Sequence, residues 1–440
     1  MTEKLLKKST KSSGIPKLFD LYSSDPTAAD YKIFGRVPDQ NRRGFLKGAG
    51  LATMGAMLGA SIPFSKNMPS GLIPVALAET GGVIEGKDGL TLLNDRPLNA
   101  ETPPHLLDDP ITPVNRHFIR NNGIPPEEVD PETWTLTIDG LVDKPMKLTI
   151  ADLKSKFEVV TKALVIECGG NGRAYFNPPA KGNQWTLGAV ACSQWTGVRL
   201  KDVLEAAGVQ SSVVYTAHEG ADGHLSGDPE KLPISRGVPI AKAMDPNILI
   251  AFEQNGEPIH PMNGAPLRLV VPGWPGSCSQ KWLTRIWLRD QVHDGPKMTG
   301  TAYRVPNHPV SPGEKVDKKD FGIIERMPVK SLITFPQSGL ETTDKNITVR
   351  GHAWSGDRDI SSLKISVDFG ATWLDAKLDK AVNTGAWQSW SAAVTLPEKG
   401  YYEIWAKATD SEGESQPHAI DWNPKGYLNN TMHRIAIRVS

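Results

Sequence analysis

The segment Ala163–Pro179, ALVIECGGNGRAYFNPP, concentrates chemistry in a short space. An apolar run (Ala163, Leu164, Val165, Ile166) reads as a strand and ends in Glu167 and Cys168. Gly169, Gly170, Asn171, Gly172 and Arg173 follow at once. A cysteine at a strand end is most often a small buried hydrophobe. Three features point elsewhere. Glycines let the backbone approach a bulky ligand closely. Asn171 and Arg173 bring amide and guanidinium donors within a few residues. A thiolate, finally, persists only beside a positive group or a metal. With no His or Cys nearby, zinc is a poor fit, because zinc takes several protein ligands. A lone thiolate suits a soft metal whose remaining ligands come from a cofactor.

The compartment decides what such a cysteine can be. Arg42 and Arg43 precede Phe45, Leu46 and Lys47, and a small-residue, weakly apolar segment follows. That segment is too short and glycine-rich for a comfortable membrane span. Ala76–Ala78 offers a small-x-small cleavage site. The order is that of a twin-arginine export signal, a route that carries folded proteins. Residues 1–78 are therefore read as leader, and the mature chain as periplasmic. With 49 basic and 49 acidic residues the chain carries no net charge, so no field steers it to nucleic acid or an anionic membrane. Three cysteines do not make a disulfide scaffold, and no CxxCH is present for a covalent haem.

The elements that must position Cys168 fall into two regions. From 79 to 324 short strands and helices alternate with Pro and Gly turns. Trp134–Val142 alternates as a strand, and Leu200, Val203, Leu204 and Ala207 share one helical face that Gly208 ends. Ala265–Gly273 reads as a buried strand ending at Pro272. From 325 to 440 the pattern becomes short alternating strands. Leu363, Ile365, Val367 and Phe369 form one apolar face, and Tyr402, Ile404, Ala406 and Ala408 another. This predicts an antiparallel β-sandwich after a mixed domain, an α+β chain. Cys192 reads as core in a helix-like setting, and Cys278 has nothing that makes it a ligand. Trp387 and Trp390 read as sandwich core or a dimer surface. The ten histidines show no HxH or HExxH spacing.

Several stretches, in order, resemble the sulfite oxidase family. IECGGNGR is similar to its cysteine motif, Cys-Ala-Gly-Asn-x-Arg. HFIRNNG, QWTLGAVACSQWTGVRLKDVL, EGADG, GAPLRLVVPGWPG, QKWLTRI and IDWNPKGYLNNTMHRIAI resemble further family segments. The resemblance implies a molybdopterin-binding domain followed by an immunoglobulin-like dimerisation domain. It implies that Cys168 binds molybdenum, and that Arg120 and Arg173 bind an oxyanion. Trp185 would line the substrate pocket and Tyr303 would stand beside the metal. The cofactor contacts would be Phe118, Asn121, Asn122, Asp222, Asn263, Arg268, Ser279, Gln280 and Lys281.

The departures are chemical. Asn122, Asn263 and Ser279 stand where the family has histidines; they can hydrogen-bond but not carry a proton charge. The third anion-binding arginine falls at Lys425, which keeps the charge and loses the bidentate fork. No haem segment is visible, so electrons must leave to another protein. The resemblance implies a periplasmic homodimer that oxidises sulfite to sulfate and reduces a c-type cytochrome or haem subunit. The alternatives are a sulfane dehydrogenase acting on carrier-bound sulfur, and a non-redox binding protein on the same fold.

Overall fold

The computed structural model describes residues 84–127 and 129–440. Arg42, Arg43 and the Ala76–Ala78 site lie outside the described residues. An antiparallel three-stranded sheet comes first: β1 (Thr91–Asp95), β2 (Leu98–Glu101) and β3 (Ile119–Arg120). Then come β4 (Thr135–Gly140), β5 (Met146–Thr149), α1 (Ile150–Lys156), β6 (Val159–Glu167), β7 (Val190–Arg199), α2 (Leu200–Ala207) and β8 (Tyr215–Gly220). The domain continues through α3 (Ile240–Ala243), β9 (Leu249–Gln254), β10 (Glu257–Pro258), β11 (Arg268–Val270) and β12 (Leu283–Arg289). Two of its sheets run β10-β9-β7-β6, with β11 on β9, and β5-β4-β12-β8.

Local rules explain the short helices. Thr149 caps α1 through the Asp152 amide, and the Asp152 carboxylate returns to the Thr149 amide, both at 3.0 Å. On α2, Leu200, Val203, Leu204 and Ala207 are buried as one stripe, and Gly208 closes the helix at φ +71°. Among the described residues no helix is long and apolar enough to cross a membrane.

A hairpin of β13 (Arg304–Pro306) and β14 (Phe321–Ile323) leads into the sandwich. One sheet is β15 (Lys330–Phe335), β17 (Asn346–Trp354), β21 (Gln388–Thr395) and β20 (Lys377–Leu378). The other has β16 (Leu340–Thr342), β23 (His433–Val439), β22 (Gly400–Asp410), β18 (Ile360–Ser366) and β19 (Leu374–Asp375). Leu363, Ile365, Ile404, Ala406 and Ala408 fill its core, as the alternation predicts. Phe369 does not: it is 60% exposed, in a turn at φ +58°. The alternating period ends with the strand at Ser366, so Phe369 has no face to share.

The break at 325 divides the chain in sequence but not in packing. β6 is an edge strand, and the sandwich covers it. The Val165 amide donates to Gly385 O at 2.8 Å, and Asn383 bonds the Ala163 amide and carbonyl at 3.0 and 2.8 Å. An unpaired edge would otherwise leave its backbone groups open. Leu107, Val165, Cys192, Leu332, Trp354 and Trp387 form one apolar cluster across the seam. Two expectations are corrected here. Cys192 is core, but on strand β7 rather than a helix. Trp390 belongs to the sandwich core, whereas Trp387 lies in the seam, stacked on His352 and donating to Pro110 O at 2.7 Å.

Candidate active site

Cys168 is the first residue after β6 and is buried. Its amide donates to Ala189 O at 2.9 Å, and its carbonyl accepts from the Asn171 amide at 2.9 Å. Asn171 locks this loop from within. Its side chain donates to Glu167 Oε1 at 3.0 Å and accepts from the Ala189 amide at 3.1 Å. Glu167 is itself held by the sandwich: Lys330 Nζ lies 2.5 Å from Oε1, and Trp354 Nε1 donates to Oε2 at 2.9 Å. The second domain thus grips the residue before the cysteine. Glu167 and Lys330 are missed as site residues in the sequence, because they are far apart in the chain.

Of the motif glycines, Gly170 makes room for the arginine, Gly172 abuts Asn429, and Gly169 stays uncrowded. A Cβ on Gly170 would lie 2.3 Å from Arg173 Nη2, and one on Gly182 would lie 2.9 Å from Nη1. A Cβ on Gly426 would lie 2.6 Å from Arg173 Cγ. Gly172 takes φ +90°, a backbone that glycine favours. The buried Arg173 donates to Lys425 O at 2.7 Å and Asn183 O at 2.8 Å, and lies 5.0 Å from the Tyr427 ring.

Lys425 arrives from the long connection between β22 and β23. This tail docks on the cysteine loop through Leu428 N to Gly169 O (2.9 Å) and Asn429 Nδ2 to Gly172 O (3.0 Å). Cys168, Arg120, Arg173, Trp185, Tyr303 and Lys425 line one cavity of about 700 Å³. Lys181, not singled out in the sequence, lines it too, and no carboxylate does. Burial lowers the Lys425 pKa, and Lys181, Arg173 and Lys297 lower it further. Trp185 is fully buried.

Arg120, at the end of β3, reaches this cavity from the opposite side. Its guanidinium donates to Asn121 O, to Asn122 Oδ1 at 2.8 Å and to the Tyr303 hydroxyl at 3.1 Å. Burial opposes its charge, but Tyr303 and Cys168 beside it outweigh that and raise its pKa. The Tyr303 hydroxyl donates to Asn122 Oδ1 at 3.1 Å. Tyr303 sits at φ +52°, a strained position for a tyrosine, and stacks on Tyr427.

Behind Cys168 lies a second cleft. Phe118, Asn122, Asp222, Asn263, Arg268, Ser279, Gln280 and Lys281 line it with Cys168, Arg120 and Tyr303. Asn121 stands just behind that wall, accepting from Lys281 Nζ. Cys168 therefore lies at the junction of two cavities, one lined by Arg173, Lys181 and Lys425, the other by Arg268, Lys281 and Asp222. In the second cleft three buried atoms have no partner: Asp222 Oδ1, Ser277 Oγ and Gln280 Oε1. Its cations are crowded. Burial drops Arg268 to about 9. Burial and Arg268 together hold Lys281 well below the usual lysine range, and burial pushes Asp222 up to about 6. Orphaned acceptors and donors beside crowded cations fit an anionic heterocycle such as a molybdopterin. Ser279 spends its hydroxyl on the Val271 amide at 3.0 Å. Among the described residues no three His, Cys, Asp or Glu could hold a metal by themselves. A single thiolate beside a cofactor cleft is consistent with that.

Residues 122–297 match the family model described as oxidoreductase molybdopterin binding domain, and residues 322–440 that described as Mo-co oxidoreductase dimerisation domain. The sulfite oxidase of Gallus gallus is 32% identical over 361 residues, covering 79% of this chain and 77% of that protein. The chain belongs to the sulfite oxidase family. Like other members of this family of molybdenum oxidoreductases, it pairs the cofactor domain with the sandwich. It spans 62% to 66% of the length of the mitochondrial sulfite oxidases it matches. The NAD(P)H nitrate reductase of Hordeum vulgare is 32% identical over 373 residues, covering 79% of this chain and 42% of that protein. The crystal structure of the sulfane dehydrogenase SoxCD from Paracoccus pantotrophus superposes with a TM-score of 0.66 at 26% identity, covering 87% of this chain and 100% of that one.

Proposed function

We propose that this chain oxidises sulfite to sulfate in the periplasm and passes the electrons to a c-type cytochrome or haem subunit, working as a homodimer. The observation that carries this reading is the cavity at Cys168, lined by Arg120, Arg173, Lys181 and Lys425 and by no carboxylate. A small anion with little apolar surface can gain affinity there only from cations. Charge-assisted hydrogen bonds of this kind contribute about 1.5–3 kcal/mol each.

When bound through Cys168, the molybdopterin supplies the two-electron redox centre; the chain's residues position the reactants around it. Asp222, Arg268, Gln280 and Lys281 would hold the pterin. Arg120, Arg173 and Lys425 would bind the anion in the cavity they line. The Arg173 guanidinium is preset by its two carbonyl partners, so little reorganisation accompanies binding. Trp185 closes one wall against water. The Tyr303 hydroxyl accepts from Arg120 and points its proton at Asn122, an amide that does not titrate. The Tyr303 hydroxyl is thereby oriented between Arg120 and Asn122.

The match to the sulfane dehydrogenase structure, over 87% of this chain, supports a second reading, oxidation of sulfur bound to a carrier protein. The test uses protein purified with full molybdenum. It compares free sulfite with a thiolated carrier, each with a c-type cytochrome as acceptor. Turnover of sulfite that falls in Arg120→Gln supports the first reading. Turnover confined to the carrier replaces it with the second.

A further inference from the structure

Lys87 stands apart from every residue assigned above. It lies before residue 122, where the match to the molybdopterin-binding family model begins. The strap that carries it, residues 84–89, is pinned to the cofactor domain at several points. His260 Nε2 bonds Glu85 O at 3.0 Å, and the Asp88 amide donates to Asn115 O at 2.9 Å. Gly86 takes φ +68°, and a Cβ there would lie 2.7 Å from His260 Nε2. The strap is thus shaped for close contact, and it delivers one ammonium to Asn263, which lines the cleft.

That ammonium donates to Val114 O at 2.6 Å and to Asn263 Oδ1 at 2.5 Å. Asn263 also donates through Nδ2 to Phe118 O at 3.0 Å, and its carbonyl accepts from Arg268 at 2.6 Å. The asparagine is therefore a spacer that ties Lys87 to Arg268. An ammonium has three donors, and two are spoken for. Among the described residues no carboxylate pairs with Lys87, and burial pulls its pKa down to about 7. Arg268, Lys281 and His117 share the wall, with Asp222 the one carboxylate lining the cleft. Crowding cations in a half-buried wall is costly unless an anion joins them.

We propose that Lys87 is a cofactor-binding residue, whose ammonium joins Arg268 in neutralising the phosphate monoester of the molybdopterin. This rests on reading the second cleft as the molybdopterin site. Asn263 itself carries no charge, so the ammonium bonded to its Oδ1 supplies the cation on that side of Arg268.

The test measures cofactor retention. Wild-type protein, Lys87→Met, Lys87→Gln and Lys87→Met/Asn263→His are purified from a molybdenum-competent host. Molybdenum per chain and released pterin fluorescence are followed during incubation in mild urea. Lys87→Met should release cofactor about 10- to 150-fold faster, the range expected for losing one charge-assisted hydrogen bond. Lys87→Gln keeps a donor for Asn263 and loses the charge, so it should behave like Lys87→Met. In the double variant an imidazolium at 263 restores the charge, and retention should recover at pH 6 more than at pH 8. Wild-type release rates in Lys87→Gln overturn the proposal and leave Lys87 a structural tie. Wild-type protein with no pterin overturns the molybdopterin reading, and the proposal with it.

Discussion

The Glu167–Lys330 pair offers the sharpest energetic test of how the sandwich supports the cysteine loop. Their side chains are 2% and 5% exposed and lie 2.5 Å apart. Breaking a buried ion pair by removing one partner costs about 3–5 kcal/mol, because the other charge is left uncompensated. Lys330→Met leaves Glu167 with two neutral donors, Asn171 and Trp354. The expected loss is at the lower end, about 3 kcal/mol. Glu167→Gln keeps an amide oxygen for Lys330 but no charge to balance it, and Asn171 O at 3.4 Å is a weak contact, so about 3–5 kcal/mol is expected. The double variant removes both charges and should lose about 2–3 kcal/mol less than the sum. Urea unfolding at fixed cofactor loading, followed by tryptophan fluorescence, gives all three values. Single losses under about 1 kcal/mol, or strict additivity, would falsify the view that this pair clamps the domains at the cysteine.

Other predictions follow from the same geometry. Cys168→Ser replaces a soft thiolate with a poor hydroxyl ligand and should abolish turnover while pterin fluorescence remains; retained activity would refute the metal assignment. Gly170→Ala should displace Arg173 and lower kcat/KM for sulfite about 10- to 150-fold, the loss also expected of Arg173→Gln. Gly169→Ala is the control, since a Cβ there meets nothing nearer than 3.6 Å; equal effects would remove the steric argument. Burial drives His218 to about 3 and His352 to about 4. Both lie below the unfolded value of 6.5, so their stabilisation is complete above pH 6.5 and is lost progressively as pH falls from there to about 4 for His352 and about 3 for His218. Each contributes about 1.4 kcal/mol per pH unit in that window, and a urea midpoint unchanged from pH 7 to 5 would contradict it. For export, Arg42→Lys with Arg43→Lys should leave active, uncleaved protein in the cytoplasm; normal periplasmic arrival would discard the twin-arginine reading.

The sequence determined what depends on neighbours along the chain. Strand alternation at 363–365 and 402–408 is a period of two, and one buried face imposes it. The α2 stripe is a period of 3.6, closed by a glycine in the left-handed region. The cysteine motif is likewise local, since loop, thiol and arginine lie within six residues. Tertiary structure decided whatever depends on contacts across the fold. That Gly170 serves Arg173, and not a ligand, follows only once the guanidinium folds back over the turn. That Lys425 lines the cavity depends on a tail docked on the cysteine loop through the Leu428 amide and the Asn429 side chain, contacts more than 250 residues apart in the chain. Glu167 with Lys330, and Lys87 with Asn263, are 163 and 176 residues apart. Pairs at such separations leave no periodic trace, because what joins them is the packing of β6 against the sandwich and of the strap against the cleft wall.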